Sequence, residues 1–433
     1  MKFYSTKGKS ELVDFRTAVI KGIAEDGGLY LPKDIPFLPE AFFKCLSELS
    51  FHEIALTVTE LFANEVSRND LSDIIQSAFN FPVPTVKLDE NLYVLELTHG
   101  PTLAFKDFGA RFMAKMLSHF TKDEDKEVII LVATSGDTGS AVANGFYNVE
   151  GIKVVLLYPS GMVSKIQEQQ LTTLGGNITA LEIKGTFDDC QRLVKEAFAD
   201  QVLNNKLNLT SANSINIARL IPQSLYYFHS FGSIQNKNKP AVFSVPSGNL
   251  GNLTGGILAH KMGLPVNKFI AAANANKVFP DYIKTGTFTP APTIKTISNA
   301  MDVGNPSNFE RIASIFLYDA ENVRKVIFSD SFSDLDTYEA MNEIYKKYNY
   351  IIDPHGAVGY LANKKYSEDL IEDSISIILE TAHPAKFSSE VKKATGIEIE
   401  IPERLGECLK KEKHSLVLSK EFNEFKSFLL ETS

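Results

Sequence analysis

The stretch Val128-Ile129-Ile130-Leu131-Val132-Ala133-Thr134-Ser135-Gly136-Asp137-Thr138-Gly139-Ser140-Ala141 decides the fold. Its first five residues are aliphatic without polar alternation. Such a run reads as a strand buried on both faces, as in a parallel sheet covered by helices. The turn that follows enters a helical pattern. The same short apolar runs recur at Lys153 to Tyr158, Ile178 to Ile183, Ala241 to Val245, Phe269 to Ala273 and Ile375 to Leu379. Helical patterns fall between them. Phe105, Phe108, Phe112, Met113, Met116, Leu117 and Phe120 make one apolar stripe, and Thr186 with Asp189 reads as a capping box for a helix to about Leu203. Strands alternating with helices predict an α/β architecture with mainly parallel sheets from about residue 92 onward.

Residues 1–85 differ. Helical periodicity appears at Leu12 to Ile23, Glu40 to Leu49 and Phe51 to Phe62, with the turn cluster Asp26-Gly27-Gly28-Leu29-Tyr30-Leu31-Pro32 after the first of them. Phe81-Pro82-Val83-Pro84 favours extended chain and closes this region. The expectation is a small, mostly helical N-terminal domain over 1–85, followed by an α/β catalytic region over 86–433. The segment from Thr285 to Asn308, rich in Pro, Thr, Asn and Gly, reads as a long loop with a functional role or mobility.

At 433 residues the chain has room for two or three domains with cores of their own. A net charge of −9 leaves no basic footprint for nucleic acid. The start, Met1 to Gly8, has no apolar core of a secretory signal, and no aliphatic run is long enough to span a bilayer. Cys45, Cys190 and Cys408 are far apart and odd in number, which points to a reducing, cytoplasmic setting rather than to a disulfide framework or a metal cluster.

Three motifs carry chemistry. In His99-Gly100-Pro101-Thr102-Leu103-Ala104-Phe105-Lys106-Asp107-Phe108-Gly109-Ala110-Arg111-Phe112, one lysine sits in apolar company at the mouth of a helix. Desolvation disfavours its ammonium form, so Lys106 suits a nucleophilic amine that forms a Schiff base with a carbonyl; the alternative is a surface lysine lying along an aromatic pair. The second motif, Ser247-Gly248-Asn249-Leu250-Gly251-Asn252, follows an apolar strand and opens a helix. Backbone N–H groups converge at such a turn, where a phosphate can sit. No Gly-Lys-Ser/Thr follows, and the spacing is wrong for a dinucleotide fingerprint. A plain strand-to-helix turn is the competing reading. The third motif, Thr134 to Ser140, offers hydroxyl and N–H groups to a second small anion, against a plain helix cap. Two anion cradles and one apolar-flanked lysine, meeting at the carboxyl edge of the strands, suit pyridoxal 5′-phosphate and an amino-acid substrate.

The chain resembles the threonine synthases, a family of fold-type II pyridoxal-phosphate enzymes. The resemblance runs through these motifs and through Asp26 to Pro32, Ser211-Ala212-Asn213-Ser214-Ile215-Asn216, Asn299-Ala300-Met301-Asp302-Val303 and Thr381-Ala382-His383-Pro384-Ala385-Lys386-Phe387. It implies two open, mainly parallel sheets in two lobes with the active site between them. It implies the conversion of O-phospho-L-homoserine and water to L-threonine and phosphate. Lys106 would bind the cofactor covalently. Gly248, Asn249, Leu250, Gly251 and Asn252 would hold the cofactor phosphate, Thr381 would face the pyridine nitrogen, and Asp137 would lie by the phenolic oxygen. Ser135 and Thr138 would take the substrate carboxylate; Asn213, Ser214 and Arg219 would take the substrate phosphate, with Arg111 and Lys386 the next cations in reserve. No metal is implied. The short N-terminal region leans toward a monomer without a regulatory nucleoside.

The sequence departs from close relatives at two places and from many fold-type II enzymes, though not from the longer threonine synthases, at a third. Leu250 and Asn252 stand where close relatives usually have Phe and Asp, and Asp137 stands where many fold-type II enzymes have Asn. His99, His355 and His383 are candidates for proton carriers or for hydrogen-bonded structural roles. A phospholyase releasing 2-oxobutyrate, a serine/threonine dehydratase and a non-catalytic paralogue that binds phospho-amino acids remain as alternatives. The dehydratase has no need of the Asn213–Ser214–Arg219 set, and the paralogue has no need of Lys106.

Overall fold

Residues 1–122, 126–134, 136–234, 239–368 and 374–431 are described by a computed structural model. Among the described residues thirteen strands run in chain order: β1 (Phe3–Ser5), β2 (Tyr30–Pro32), β3 (Thr85–Asp89), β4 (Leu92–Glu96), β5 (Val128–Ala133), β6 (Ile152–Pro159), β7 (Ile178–Lys184), β8 (Asn208–Ser211), β9 (Ala241–Pro246), β10 (Val266–Ala273), β11 (Ile327–Ser331), β12 (Ile375–Glu380) and β13 (Leu416–Ser419). They form a six-stranded sheet in the order β11-β10-β9-β12-β4-β3, a five-stranded sheet in the order β13-β7-β6-β5-β8, and the pair β1-β2. In the two larger sheets every pairing is parallel except β3 with β4. Strands β5, β9 and β12 are buried at every position, as unbroken apolar runs between helical layers should be. The two open, mainly parallel sheets are those the resemblance implies.

The helix Lys106–Thr121 ties the N-terminal region to the catalytic region. Its stripe Phe108, Phe112, Met113, Met116, Leu117 and Phe120 is buried. The Phe108 ring lies 5.8 Å from that of Phe51, 5.9 Å from Phe79, 5.0 Å from Phe81 and 5.4 Å from Tyr226. This aromatic cluster clamps the N-terminal helices onto the helix that carries the lysine, with each ring pair contributing roughly 0.5–1.5 kcal/mol beyond its buried area.

The structure corrects the sequence reading in places. The N-terminal region contains the β1-β2 pair and a further helix, Arg68–Ala78, capped by Ser67. Both strands have only three residues, too few for a periodic signal. The Thr186–Asp189 capping box is present, but its helix ends at Ala199; Asp200 turns extended and caps a separate helix, Gln201–Lys206. Thr285 closes the helix Val278–Thr285, and the segment after it holds only a short 3₁₀ turn, Asn299–Met301. Its anchor is Asp302, whose Oδ1 accepts from Asn274 (2.9 Å) and Thr296 Oγ1 (2.7 Å) and whose Oδ2 accepts from the Thr296 N–H (3.0 Å). Among the described residues no helix is long and apolar enough to cross a membrane.

Candidate active site

The carboxyl ends of four parallel strands supply the predicted site residues. Asp137 and Thr138 follow β5, Asn213 and Ser214 follow β8, Gly248 to Asn252 follow β9, and Thr381 follows β12. Between them lies a cavity of about 250 Å³ lined by Lys106, Thr138, Asn213, Ser214 and Arg219, with Asn249, Gly251 and Asn252 on its phosphate-cradle side. Open α/β sheets place ligands at such strand ends. Gly248, Leu250, Asp137 and Thr381 stand behind this surface rather than on it. Ser135 lies outside the described residues.

A strand-like seam fixes the lysine. The N–H of Leu97 donates to Glu380 O, that of Phe105 to Thr381 O, and that of His383 to Leu103 O, each at 3.0 Å. Ala104 and Ala382 face each other as an antiparallel bridge. Asp107 is fully buried and ties the start of the loop, accepting from the Thr102 N–H (2.8 Å) and Oγ1 (2.7 Å). A Cβ on Gly100 would come within 2.3 Å of that carboxylate, which leaves glycine as the residue that fits.

Lys106 is the first residue of its helix, where the positive end of the helix dipole also disfavours a cation. Burial holds its pKa below the ordinary lysine value; Asp137 opposes this, and Lys386 and Arg219 add to it. Its Nζ stands 3.9 Å from Asp137 Oδ2. Asp137 is itself buried and pairs with Lys386 at 2.5 Å, and Gln167 Nε2 donates to it at 3.3 Å. Burial alone would raise the Asp137 carboxyl, but Lys386 and Lys106 hold it far below the carboxylate range, so it is ionised. Lys386 also donates to the Thr102 carbonyl at 3.1 Å. It faces Asp137 as a fixed partner.

The glycine turn fits a phosphate. Leu250 adopts a left-handed conformation (φ 59°) that aims the first turn of the helix Gly251–Lys261 at the cavity. The first N–H groups of a helix have no intrahelical acceptor and are free for an anion. A Cβ on Gly251 would meet no protein atom closer than 3.5 Å, and Gly251 has no positive φ. Protein packing does not require glycine there, whereas a ligand pressed against the backbone would. Gly248 is different, because a Cβ there would strike Ala300 O and Met301 Cα at 2.8 Å. The Asn252 side chain serves the turn itself, donating to Pro246 O at 2.8 Å. Asn249 donates to Ser214 Oγ at 2.5 Å and accepts from the Ser307 N–H at 2.6 Å, joining the cradle to the loop across the cavity. Glycine at 251, the dipole of the helix behind it and a half-buried lysine amine together suit pyridoxal phosphate.

Arg219 is 3% exposed and makes no ion pair among the described residues. Burial lowers its pKa to about 10. Its Nη1 donates to Ala212 O, but Nε has no hydrogen-bond partner, and neither has Asn213 Oδ1 nearby. A buried, unpaired guanidinium is costly unless an anion meets it. Arg111 does not join this site; it caps the helix Arg68–Ala78, donating to Ala78 O and Ser77 O at 2.7 Å.

The three histidines all have structural partners. His355 Nδ1 bonds Asp353 while its Nε2 accepts from the Ala300 N–H at 3.2 Å. His383 Nδ1 accepts from the Ala385 N–H, and His99 meets Glu96 at 2.7 Å. Sequence reasoning missed the pairing of Lys386 with Asp137, the contact from Gln167, and fully buried Arg311, which donates to Ser214 O, Ile215 O and Asn308 Oδ1 and so shapes the anion pocket from behind. Lys386 was visible inside a motif, but nothing local tied it to a residue far upstream.

Comparison with known proteins agrees with this geometry. The family model described as "Pyridoxal-phosphate dependent enzyme" matches residues 79–380, "Threonine synthase N terminus" matches 2–79, and "Threonine synthase, C-terminal" matches 356–429. Threonine synthase of Buchnera aphidicola subsp. Acyrthosiphon pisum is 41% identical over 434 residues, with 100% of both chains covered. The crystal structure of threonine synthase from Escherichia coli superposes with a TM-score of 0.93 at 40% identity, covering 100% of both chains. A pyridoxal-phosphate-bound threonine synthase from Brucella melitensis superposes with a TM-score of 0.93 at 33% identity, covering 100% of this chain and 99% of that one. The chain belongs to the threonine synthase family of pyridoxal-phosphate-dependent enzymes.

Proposed function

We propose the following division of labour for the conversion of O-phospho-L-homoserine and water to L-threonine and phosphate. The observation that carries it is the buried, unpaired guanidinium of Arg219 in the same cavity as Lys106. Arg219, Asn213 and Ser214 bind the substrate phosphate; Thr138, with Ser135, takes the carboxylate. Gly248 to Asn252 hold the cofactor phosphate, Lys106 anchors the cofactor, Thr381 lies at its ring nitrogen and Asp137 near its phenolic oxygen. Pyridoxal phosphate, when bound, supplies an aldehyde for an amine and a ring that delocalises the electrons left by a departing proton.

The chain's residues do the rest. Lys106 Nζ, whose ammonium form burial disfavours, takes the substrate Cα proton once the substrate amine has displaced it from the cofactor. Loss of a Cβ proton then expels the γ-phosphate, which Arg219 retains by charge-assisted bonds. A proton is delivered to Cγ in place of the phosphate, water adds at Cβ to give the threonine hydroxyl, and the ammonium of Lys106 returns the proton to Cα. Asp137 stays an acceptor throughout, because Lys386 holds its charge. It therefore steadies the ammonium of Lys106 each time the amine takes a proton. The monomer expected from the sequence stays part of this reading, and three free thiols suit a cytoplasmic setting.

The test is the product formed from O-phosphohomoserine by the purified holoenzyme. Threonine and phosphate in equal amounts support these assignments. Phosphate with 2-oxobutyrate shows that water addition at Cβ fails.

A further inference from the structure

A second cavity, of about 310 Å³, lies behind the lysine loop. It is lined by Arg111, Arg404 and Lys411 against a single carboxylate, Glu407, with Asn144 and Gln170 beside them. Three cations facing one acid leave a net of two positive charges. None of the three cations makes an ion pair among the described residues, and Arg404 and Lys411 are exposed. Arg111 is half-buried. Burial and the nearby charge of Arg404 both disfavour its cation, while Asp107 on the far side supports it. Like charges gathered around a cavity with too few counter-charges to balance them are unfavourable unless an anion joins them. Arg111 spends Nε and Nη2 on the helix end at Ser77 and Ala78, which leaves Nη1 without a bond to the protein. Gln170, in the cavity wall, leaves a buried Oε1 without a hydrogen-bond partner.

We infer that this cavity is a second anion site, built for a small molecule bearing a phosphate-type dianion. The charge sets the class: two net positive charges match a dianion better than a monocarboxylate. The guanidinium forks of Arg111 and Arg404 match phosphate oxygens, with Lys411 as a point charge. The volume exceeds that of a lone phosphate, so a small phosphate monoester fits as well as the free ion. The cavity is separate from the catalytic one, although its walls are shared. Arg111 lies on the helix that begins at Lys106, Asn144 on the helix that begins at Asp137, and Gln170 donates to the Thr102 carbonyl that also holds Lys386.

Equilibrium dialysis of labelled inorganic phosphate against the holoenzyme tests this. The wild-type protein should bind two phosphates per chain, one in each cavity. The double variant R404A/K411A should lose one of them, its affinity falling about tenfold or more with the charge-assisted contacts. Both positions are exposed, so the thermal midpoint should not move. R219A should lose the other phosphate and keep this one, so a failure of the catalytic assignment is read separately. Unlabelled glycerol 3-phosphate that displaces this phosphate at lower concentration than phosphate itself marks an organic monoester as the ligand; weaker displacement marks the free ion. Unchanged stoichiometry and affinity in R404A/K411A overturns the site.

Discussion

Lys386 Nζ lies 2.5 Å from Asp137 Oδ1, and both side chains are at most 1% exposed. Lys106 stands on the other side of the same carboxylate at 3.9 Å. Two amines therefore compete for one buried charge, and the nearer one wins. That competition lets Lys106 give up its proton while Asp137 stays ionised.

Removing Lys386 should undo this arrangement. In Lys386→Met the carboxylate keeps only Lys106 as a counter-charge, so the Lys106 ammonium is favoured and its use as a base declines. Breaking a buried pair also costs about 3–5 kcal/mol of stability. The double variant Asp137→Asn/Lys386→Met should recover most of that stability but not the activity. Denaturant melts and single-turnover assays on the four members of the cycle check this. Equal stability in single and double variants would show that the pair contributes little.

Gly251 and Gly248 should respond in opposite ways. Gly251→Ala places a methyl group at ordinary contact distance from Asn308, Gln223 and Ser214, without a clash, and should weaken pyridoxal-phosphate binding roughly tenfold or more while the apoprotein melts as before. Gly248→Ala collides with Ala300 and Met301 and should lower the stability of the apoprotein itself. Spectrophotometric cofactor titration with apoprotein melts separates the two.

Much of this was legible in the sequence, and for definite reasons. The runs at β5, β9 and β12 have no polar alternation, and that pattern has few meanings. The cradle and the lysine lie within continuous segments, so local chemistry exposes them. Strands β1 and β2 are too short for any period to show. The roles of Lys386 and Arg311 depend on contacts with residues far away in the chain, Asp137 in one case and Ser214 in the other. A charged side chain reads as solvated until its surroundings are known. Arg111 is the converse case. It lies inside the most telling motif, yet the fold turns it away from the catalytic cavity.

Asp107 should make stability depend on pH. Its burial raises the pKa to about 6 from the ordinary aspartate value of 3.8, despite the bonds from Thr102. Between these values the native state binds more protons than the unfolded chain, so stability falls as pH rises through this window. In Asp107→Asn the amide can still accept from the Thr102 N–H and donate to its Oγ1. Relative to wild type, that variant should therefore gain stability between about pH 4 and pH 6, and the gain should level off above. Urea melts across this range check the slope; parallel curves for the two proteins would place the titrating group elsewhere.

Lys106 and Arg219 should divide cofactor from substrate. Borohydride treatment of the holoenzyme should fix the cofactor to the peptide that contains Lys106, and Lys106→Ala should abolish both the label and turnover. Label on another lysine would falsify the anchor. Arg219→Ala should leave the visible absorption of the bound cofactor in place, because the proposed partner of Arg219 is the substrate phosphate. Loss of a charge-assisted contact costs about 1.5–3 kcal/mol, or roughly ten- to a hundredfold in kcat/KM for O-phosphohomoserine. Lysine at 219 should restore only part of this, since it keeps the charge and loses the fork. Binding of unphosphorylated homoserine should hardly change. Equal losses for phosphorylated and unphosphorylated ligands would make Arg219 a structural residue. Lys386 could not then take its place without leaving Asp137 unpaired, and Arg111 does not line the catalytic cavity. Of the described side chains that line it, Lys106 alone would remain as a cation for the phosphate.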